Sequence, residues 1–166
     1  MLWPKQDAAS MNAFYGNPDT NKDGLPDAVF ESQYLTTILP PYPMVFSWNN
    51  MSVSKIRVHK KVAVTLLAAL TQIGKDFTIA ERQRFQLDRF GGGYAFRLKR
   101  GGNTLSIHSW GAAVDLAPEL NPMGREYGSR PNMMPMKAVK AFQAQGWTWG
   151  GGFRIPDAMH LQAASV

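Results

Sequence analysis

The run Ala112-Ala113-Val114-Asp115-Leu116 is the most strand-like segment of the chain, apolar except for one carboxylate. A strand of this kind belongs in a core, where an ionised Asp is costly unless an opposite charge faces it. The chain must therefore fold so that something cationic reaches Asp115. His108 stands seven positions earlier. On a straight strand an odd separation puts two side chains on opposite faces, so the pairing requires a bend, and Ser109-Trp110-Gly111 offers one.

A second histidine, His160, lies among apolar neighbours near the end of the sequence, with Asp157 three positions before it. If Ile155-Pro156-Asp157-Ala158 turns, both side chains face one site, because residues three apart share a side of a helical turn. Two readings fit this spacing. In one, His108 and His160 are hydrogen-bonded core histidines and Asp115 is a salt-bridged carboxylate. In the other, His108, Asp115 and His160 form a three-ligand site with an open fourth position, as in catalytic zinc centres. Asp157 would then take the proton from a water activated there.

Composition narrows the chemistry. The chain has no Cys and only three His, so a metal has to be held by imidazoles and carboxylates. With 166 residues, 45% hydrophobic and 18% charged, the chain suits one globular domain, 1–166. A domain of this size buries roughly 70% of the surface its unfolded chain exposes and needs no disulfides. The net charge of +6 favours an anionic partner. The Lys and Arg residues are scattered, with small clusters at Lys55–Lys61 and Arg97–Arg100, so a nucleic-acid stripe is not evident. The longest apolar run, Val62–Leu70, is too short to span a membrane. The opening Met1-Leu2-Trp3-Pro4-Lys5-Gln6-Asp7 does not read as a secretory signal. The expectation is a soluble, monomeric product held in the host cytoplasm until released to the cell wall, or carried on a virion.

Along the chain, the turn formers of residues 1–45 predict a loop-rich N-terminal wrap ahead of a core at 46–166. Apolar spacings of three and four predict a helix over 54–73, with Ser54 as N-cap, Gly74 as stop and His59 in a structural role on that helix. Thr78–Arg89 has moderate helical character, Gly91-Gly92-Gly93 reads as a break, and Tyr94–Leu98 as a short strand. Gly101-Gly102-Asn103 reads as a turn and Pro135–Gln145 as a second helix with Val139 and Phe142 inward. The fold class is α+β, with helices packed on a small, mostly antiparallel sheet.

Ser106-Ile107-His108-Ser109-Trp110-Gly111-Ala112-Ala113-Val114-Asp115 fits the pattern S-x-H-x-x-G-x-A-x-D, and Asp157-Ala158-Met159-His160 a closing acid-x-x-His. In these motifs, and in Trp147-Thr148-Trp149-Gly150-Gly151, the chain resembles the D-alanyl-D-alanine carboxypeptidase (VanY-like) zinc peptidases over roughly residues 50–163. That family also includes phage endolysins that cut the L-alanyl-D-glutamate bond. The resemblance implies a hedgehog/DD-peptidase-like domain in which His108, Asp115 and His160 bind zinc and Asp157 is the general acid/base. It places a substrate-binding, oxyanion-stabilising arginine at Arg97, with Arg100 as rival, and Ser106 near the substrate. Trp110, with Trp147 and Trp149, walls the cleft or completes the core. The resemblance departs at Gly152, where many relatives carry an acid. It implies a zinc-dependent peptidoglycan peptidase, read here as a phage or prophage lysin. A non-catalytic module holding wall peptides on the same fold is the alternative, as is a hydrolase of another amide.

A separate signal is Asp19-Thr20-Asn21-Lys22-Asp23-Gly24-Leu25-Pro26-Asp27, with Asp19, Asn21, Asp23 and Asp27 at positions 1, 3, 5 and 9 of a calcium loop and Gly at 6. Position 12 is Phe30 and Glu31 comes one place late. Calcium and an Asx-rich surface turn both fit this stretch.

Overall fold

In the computed structural model, which describes residues 2–166, strand β5 (Ala113–Leu116) occupies the middle of a five-stranded sheet. Its neighbours are β4 (Arg89–Gly92) on one side and β7 (His160–Gln162) on the other, both antiparallel to it. Strand β6 (Thr148–Trp149) pairs antiparallel with β7, and β2 (Val45–Phe46) runs parallel to β4. A separate antiparallel pair joins β1 (Leu35–Ile38) to β3 (Ile56–His59). Five α-helices accompany these strands among the described residues: α1 (Ala8–Tyr15), α2 (Ala28–Tyr34), α3 (Lys60–Asp76), α4 (Ile79–Arg84) and α5 (Met136–Gln143). The class is α+β, with the sheet mostly antiparallel.

Helix α3 buries Val62, Leu66, Ala69, Leu70 and Ile73, a stripe at three- and four-residue spacing, against α5 and the β1–β3 pair. Helix α5 answers with Ala138, Val139, Ala141 and Phe142. Phe142 meets Trp147 edge to face at 5.6 Å, and the Trp147 indole N–H donates to Thr65 Oγ1 at 3.1 Å. Thr65, which interrupts the apolar run of α3, thus satisfies a buried donor. The turn-rich N-terminal stretch contains α1, α2 and β1, with β2 starting at Val45, and Met11, Tyr15 and Phe30 join the same hydrophobic cluster as α3 and β5.

The expected helix over 54–73 is corrected at both ends. Ile56 and Val58 are buried while Arg57 between them is exposed, a period of two that pairs with β1, and α3 begins only at Lys60. His59 is the cap: its Nδ1 accepts the Lys61 backbone N–H at 3.0 Å. Gly74 does not stop the helix. The Tyr42 ring lies against it, where an added Cβ would sit 3.2 Å from the ring, and the helix continues to Asp76. Within 78–89 only Ile79–Arg84 is helical, started by a capping box between Thr78 and Glu81.

The glycine run is corrected too. Gly91 and Gly92, expected only to break the helical stretch before them, form the end of β4, and Tyr94–Leu98, expected as a strand, is irregular apart from a bridge from Leu98 to Leu105 across the Gly101 turn. Two residues of β4, Gly91 and Gly92, pass opposite Asp115, which makes a bulge. A Cβ on Gly91 would lie 2.9 Å from the Asp115 Cβ, so only glycine lets β4 run this close to the carboxylate.

His59 is structural, as its place outside the motifs implies. With Nδ1 accepting, its Nε2 carries the proton and donates to the Tyr15 carbonyl at 3.0 Å. Burial, reinforced by Lys61 and Lys60, pushes its pKa from 6.5 down to about 4. The unfolded chain therefore takes up this proton at a higher pH than the folded one. Stability carried by neutral His59 is complete above about pH 6.5 and is lost as pH falls toward 4, by up to about 3 kcal/mol. Urea unfolding of chelated protein at pH 7 and pH 4.5 should show this loss. His59→Asn, which keeps a capping oxygen but does not titrate, should be less stable at pH 7 yet show a shallower pH slope; an equally steep variant would refute the assignment.

Candidate metal centre and cleft

Asp115 and His160 are direct register partners on β5 and β7, so their side chains leave the sheet on the same face. His108 reaches that face by the expected bend. Residues Ile107–Trp110 form a 3-10 turn that ends at Gly111 in the left-handed conformation, with φ at 67°. A Cβ on Gly111 would stand 2.7 Å from the His59 backbone nitrogen, so glycine is required there twice over. The result is a triangle. His108 Nε2 lies 3.3 Å from Asp115 Oδ2, His160 Nδ1 lies 3.1 Å from Asp115 Oδ1, and the two imidazole nitrogens are 3.3 Å apart.

The chemistry of these three groups suits a cation. His108 Nδ1 donates to the Gly93 carbonyl at 2.7 Å, which leaves Nε2 as a lone pair aimed inward. His160 Nε2 donates to Gln162 Oε1 at 3.1 Å, which leaves Nδ1 as the inward lone pair. Two lone pairs and a carboxylate converging on one point repel unless a proton or metal ion sits among them. Zinc bonds of roughly 2.0–2.1 Å at tetrahedral angles separate neighbouring ligand atoms by about 3.3 Å. That is the spacing of the triangle. Among the described residues, this is the one group of three or more His, Cys, Asp or Glu with metal-ligand geometry.

Burial alone would raise the Asp115 carboxyl, but the hydrogen bonds and charges of His108 and His160 overcome it and hold it far below the usual carboxylate range. Burial likewise opposes charge on His160, and the Asp115 carboxylate outweighs it and moves His160 upward.

Asp157 stands beside this cluster. Its carbonyl accepts the His160 N–H at 3.0 Å and its own N–H donates to the Gly150 carbonyl at 2.9 Å, so the turn that joins the two side chains runs from Asp157 to His160. Trp149 braces it by donating from its indole to Ala158 O at 2.8 Å. A Cβ on Gly150 would lie 2.6 Å from the Asp157 carbonyl oxygen, which explains a glycine after Trp149. Burial first, then the nearby Asp115 charge, push the Asp157 carboxyl upward against the pull of His160 and Arg100. Its Oδ1 is buried and has no hydrogen-bond partner.

These groups line a cleft of about 670 Å³ that also takes in Arg97, Arg100 and Ser106, together with Lys99 and Arg154. Arg97 is tied to the turn bearing His108: its N–H donates to Ser109 Oγ at 3.1 Å and its carbonyl accepts that hydroxyl at 2.9 Å. Ser106 is buried and donates its N–H to the Arg97 carbonyl at 2.9 Å. Trp110 is a correction. It is 1% exposed and its indole donates to Asn12 at 3.0 Å, because the turn that swings His108 into the cleft swings Trp110 into the core. It cannot touch a substrate.

The calcium reading is not supported. Asp19 accepts the Asp23 and Gly24 N–H groups at 3.2 Å each, Asn21 accepts and donates to Asp23, and Asp27 accepts from Thr20. Glu31, the late candidate for the closing ligand, pairs with Arg57 at 3.2 Å. These hydrogen bonds are those of an Asx-rich turn.

Sequence reading missed Gln162, Gln6, Lys99 and Arg154 as cleft residues. Gln162 had a signal, since a residue two after His160 on a strand shares its face. Gln6, from the other end of the chain, had none.

A His–Asp–His triangle open to a cleft, with an unpartnered carboxylate beside it, is the equipment of metal-dependent hydrolases. In agreement, residues 100–163 match the family model described as D-alanyl-D-alanine carboxypeptidase. The match and the triangle together support a metallopeptidase. The matched stretch contains Ser106, His108, Asp115, Asp157 and His160, and stops short of Arg97. No curated protein and no solved structure gives a significant match.

Proposed function

We propose that the protein is a zinc peptidase that hydrolyses an amide bond in peptidoglycan stem peptides. The observation that carries this reading is the convergence of the His108 and His160 lone pairs with Asp115, next to an unpartnered, upward-shifted Asp157 carboxylate. Zinc held there would supply Lewis acidity, polarising the scissile carbonyl and acidifying water. Asp157 takes a proton from the water that adds to the carbonyl carbon and returns it to the nitrogen as the C–N bond breaks. Arg97 and Arg100 face the developing oxyanion or a substrate carboxylate, for which a guanidinium fork is suited. Wall stem peptides are rich in carboxylates, and the cleft offers four cationic side chains, Arg97, Lys99, Arg100 and Arg154. The net charge of +6 fits a lysin that works on an anionic wall.

The test is elemental analysis of the purified protein joined to mass spectrometry of peptidoglycan fragments, with and without chelator. We expect one equivalent of zinc and a chelator-sensitive product. Its mass separates loss of a terminal D-alanine from cleavage between L-alanine and D-glutamate. Zinc without cleavage would instead support a binding module, and absence of zinc would return the triangle to an ion-paired core cluster.

A further inference from the structure

The C-terminal strand carries a glutamine whose hydrogen bonds bear on the metal site. Gln162 is 1% exposed, on the same face of β7 as His160. Its amide nitrogen donates to the Ala164 carbonyl at 3.2 Å and to Gln6 Oε1 at 3.3 Å. A backbone carbonyl only accepts, so the nitrogen end of the amide is fixed there and the oxygen end faces His160. The imidazole must then present N–H at Nε2, and its lone pair is left at Nδ1, toward Asp115 and His108.

Gln6 is held as firmly. Its backbone N–H donates to Ser165 O at 2.9 Å, Ser165 N–H donates to Pro4 O at 2.8 Å, and Trp3 is buried beside them. Asp7 then caps α1 through the Ser10 N–H at 2.9 Å, and Tyr15, at the end of that helix, donates its hydroxyl to Ala163 O at 2.6 Å. The segment from Trp3 to Tyr15 therefore clasps the chain as it leaves β7. The side-chain hydrogen bond between this segment and the amide that orients His160 is made by Gln6.

We infer that Gln162, locked by Gln6, is a positioning residue that sets the tautomer and angle of the His160 ring, so that the N-terminal segment completes the metal site although it lies outside the stretch matched to the family. This rests on the metal reading above. Partners of a ligating imidazole commonly carry 10–100-fold of metal affinity, because they fix the ring and raise its basicity.

The test measures the Zn²⁺ dissociation constant by competition with a chromophoric chelator for wild type, Q162L, Q162E, Q6L and the double variant Q6L/Q162L. Apo melting is recorded for each. Q162L should bind zinc about 10–100-fold more weakly. Q162E, which keeps an acceptor at the same reach, should recover most of that loss. Q6L should weaken binding less than Q162L, and the double variant should be no worse than Q162L alone, because both act through one contact. Wild-type affinity in a folded Q162L, with only its apo melting lowered, is what a merely structural glutamine would give and would overturn the inference. Should Q162L not fold, undiminished affinity in Q6L overturns it equally. A wild type that takes up no zinc brings down the metal reading itself, a different outcome from a wild type that binds and variants that bind as well.

Discussion

Replacing Asp157 with Asn is expected to lower turnover on stem-peptide fragments by about 10²–10⁴-fold, the range associated with loss of a positioned general acid/base. Zinc content should stay unchanged. The separation follows from where Asp157 stands. It belongs to none of the three close contacts of the His–Asp–His triangle, and the turn that presents it is made by backbone hydrogen bonds to Gly150 and His160 that Asn leaves intact. What Asn removes is the proton-accepting oxygen. Burial raises the affinity of that carboxyl for a proton above that of an ordinary Asp, and no side chain or backbone group engages its Oδ1. A buried acceptor left free in a cleft is costly unless something is to bind it, and a water or a leaving amine would. The measurement is kcat with zinc determined on the same samples. Turnover within tenfold of wild type would remove Asp157 from the proton-transfer role, and loss of zinc would make it part of the metal site instead.

The chemistry of the site was legible because its residues cannot be explained locally. A carboxylate in the apolar strand of Asp115 demands a cationic partner wherever the strand lies, but with 18 Lys and Arg beside three histidines the charge left the partner open, and the resemblance of the Ser106–Asp115 and Asp157–His160 motifs to the zinc peptidases chose the histidines. The bend at Ser109–Gly111 and the turn before His160 follow from the same demand. Less legible was anything decided by which of two packings won. Ile56, Val58 and Val62 fit a helical stripe and an alternating strand equally, and pairing with Leu35–Ile38 chose the strand for the first two. The glycines at 91–93 look like a break in isolation. Their reason is across the sheet: Gly91 makes room for Asp115, and the Gly93 carbonyl receives the His108 N–H. Trp110 sits between two site residues in sequence, yet a 3-10 turn sends neighbours to opposite sides, so adjacency misled. The calcium-like spacing finds no support, because the same alternation of Asp and Asn also builds an Asx-rich turn, and Glu31, the late closing acid, pairs with Arg57. The contact of Gln6 with Gln162 joins the two ends of the chain, and no local pattern encodes it.

Asp115→Asn should remove zinc altogether under conditions in which the wild type retains it, with activity at background. Asn keeps the volume and one acceptor, so β5 keeps its place between β4 and β7 and the two imidazoles keep their outward hydrogen bonds to Gly93 and Gln162. The change is in charge and in one of the two oxygens that face the imidazoles, which becomes an NH2 donor. His108 and His160 then offer two neutral nitrogens without the anion that offsets the dication, and the affinity loss should exceed the roughly 10–100-fold expected for a change outside the ligand set. Thermal unfolding with and without added zinc reads this directly. At a free zinc concentration a thousandfold above its dissociation constant, binding to the folded wild type adds about 4 kcal/mol of stability, whereas Asp115→Asn should gain almost none. The comparison also decides between the two meanings of the triangle. If Asp115 were only the counter-ion of two core histidines, zinc would shift neither protein, and Asp115→Asn would lose stability in the absence of metal without any change in its response to it. A wild type stabilised by zinc beside a variant that is not leaves Asp115 as a ligand.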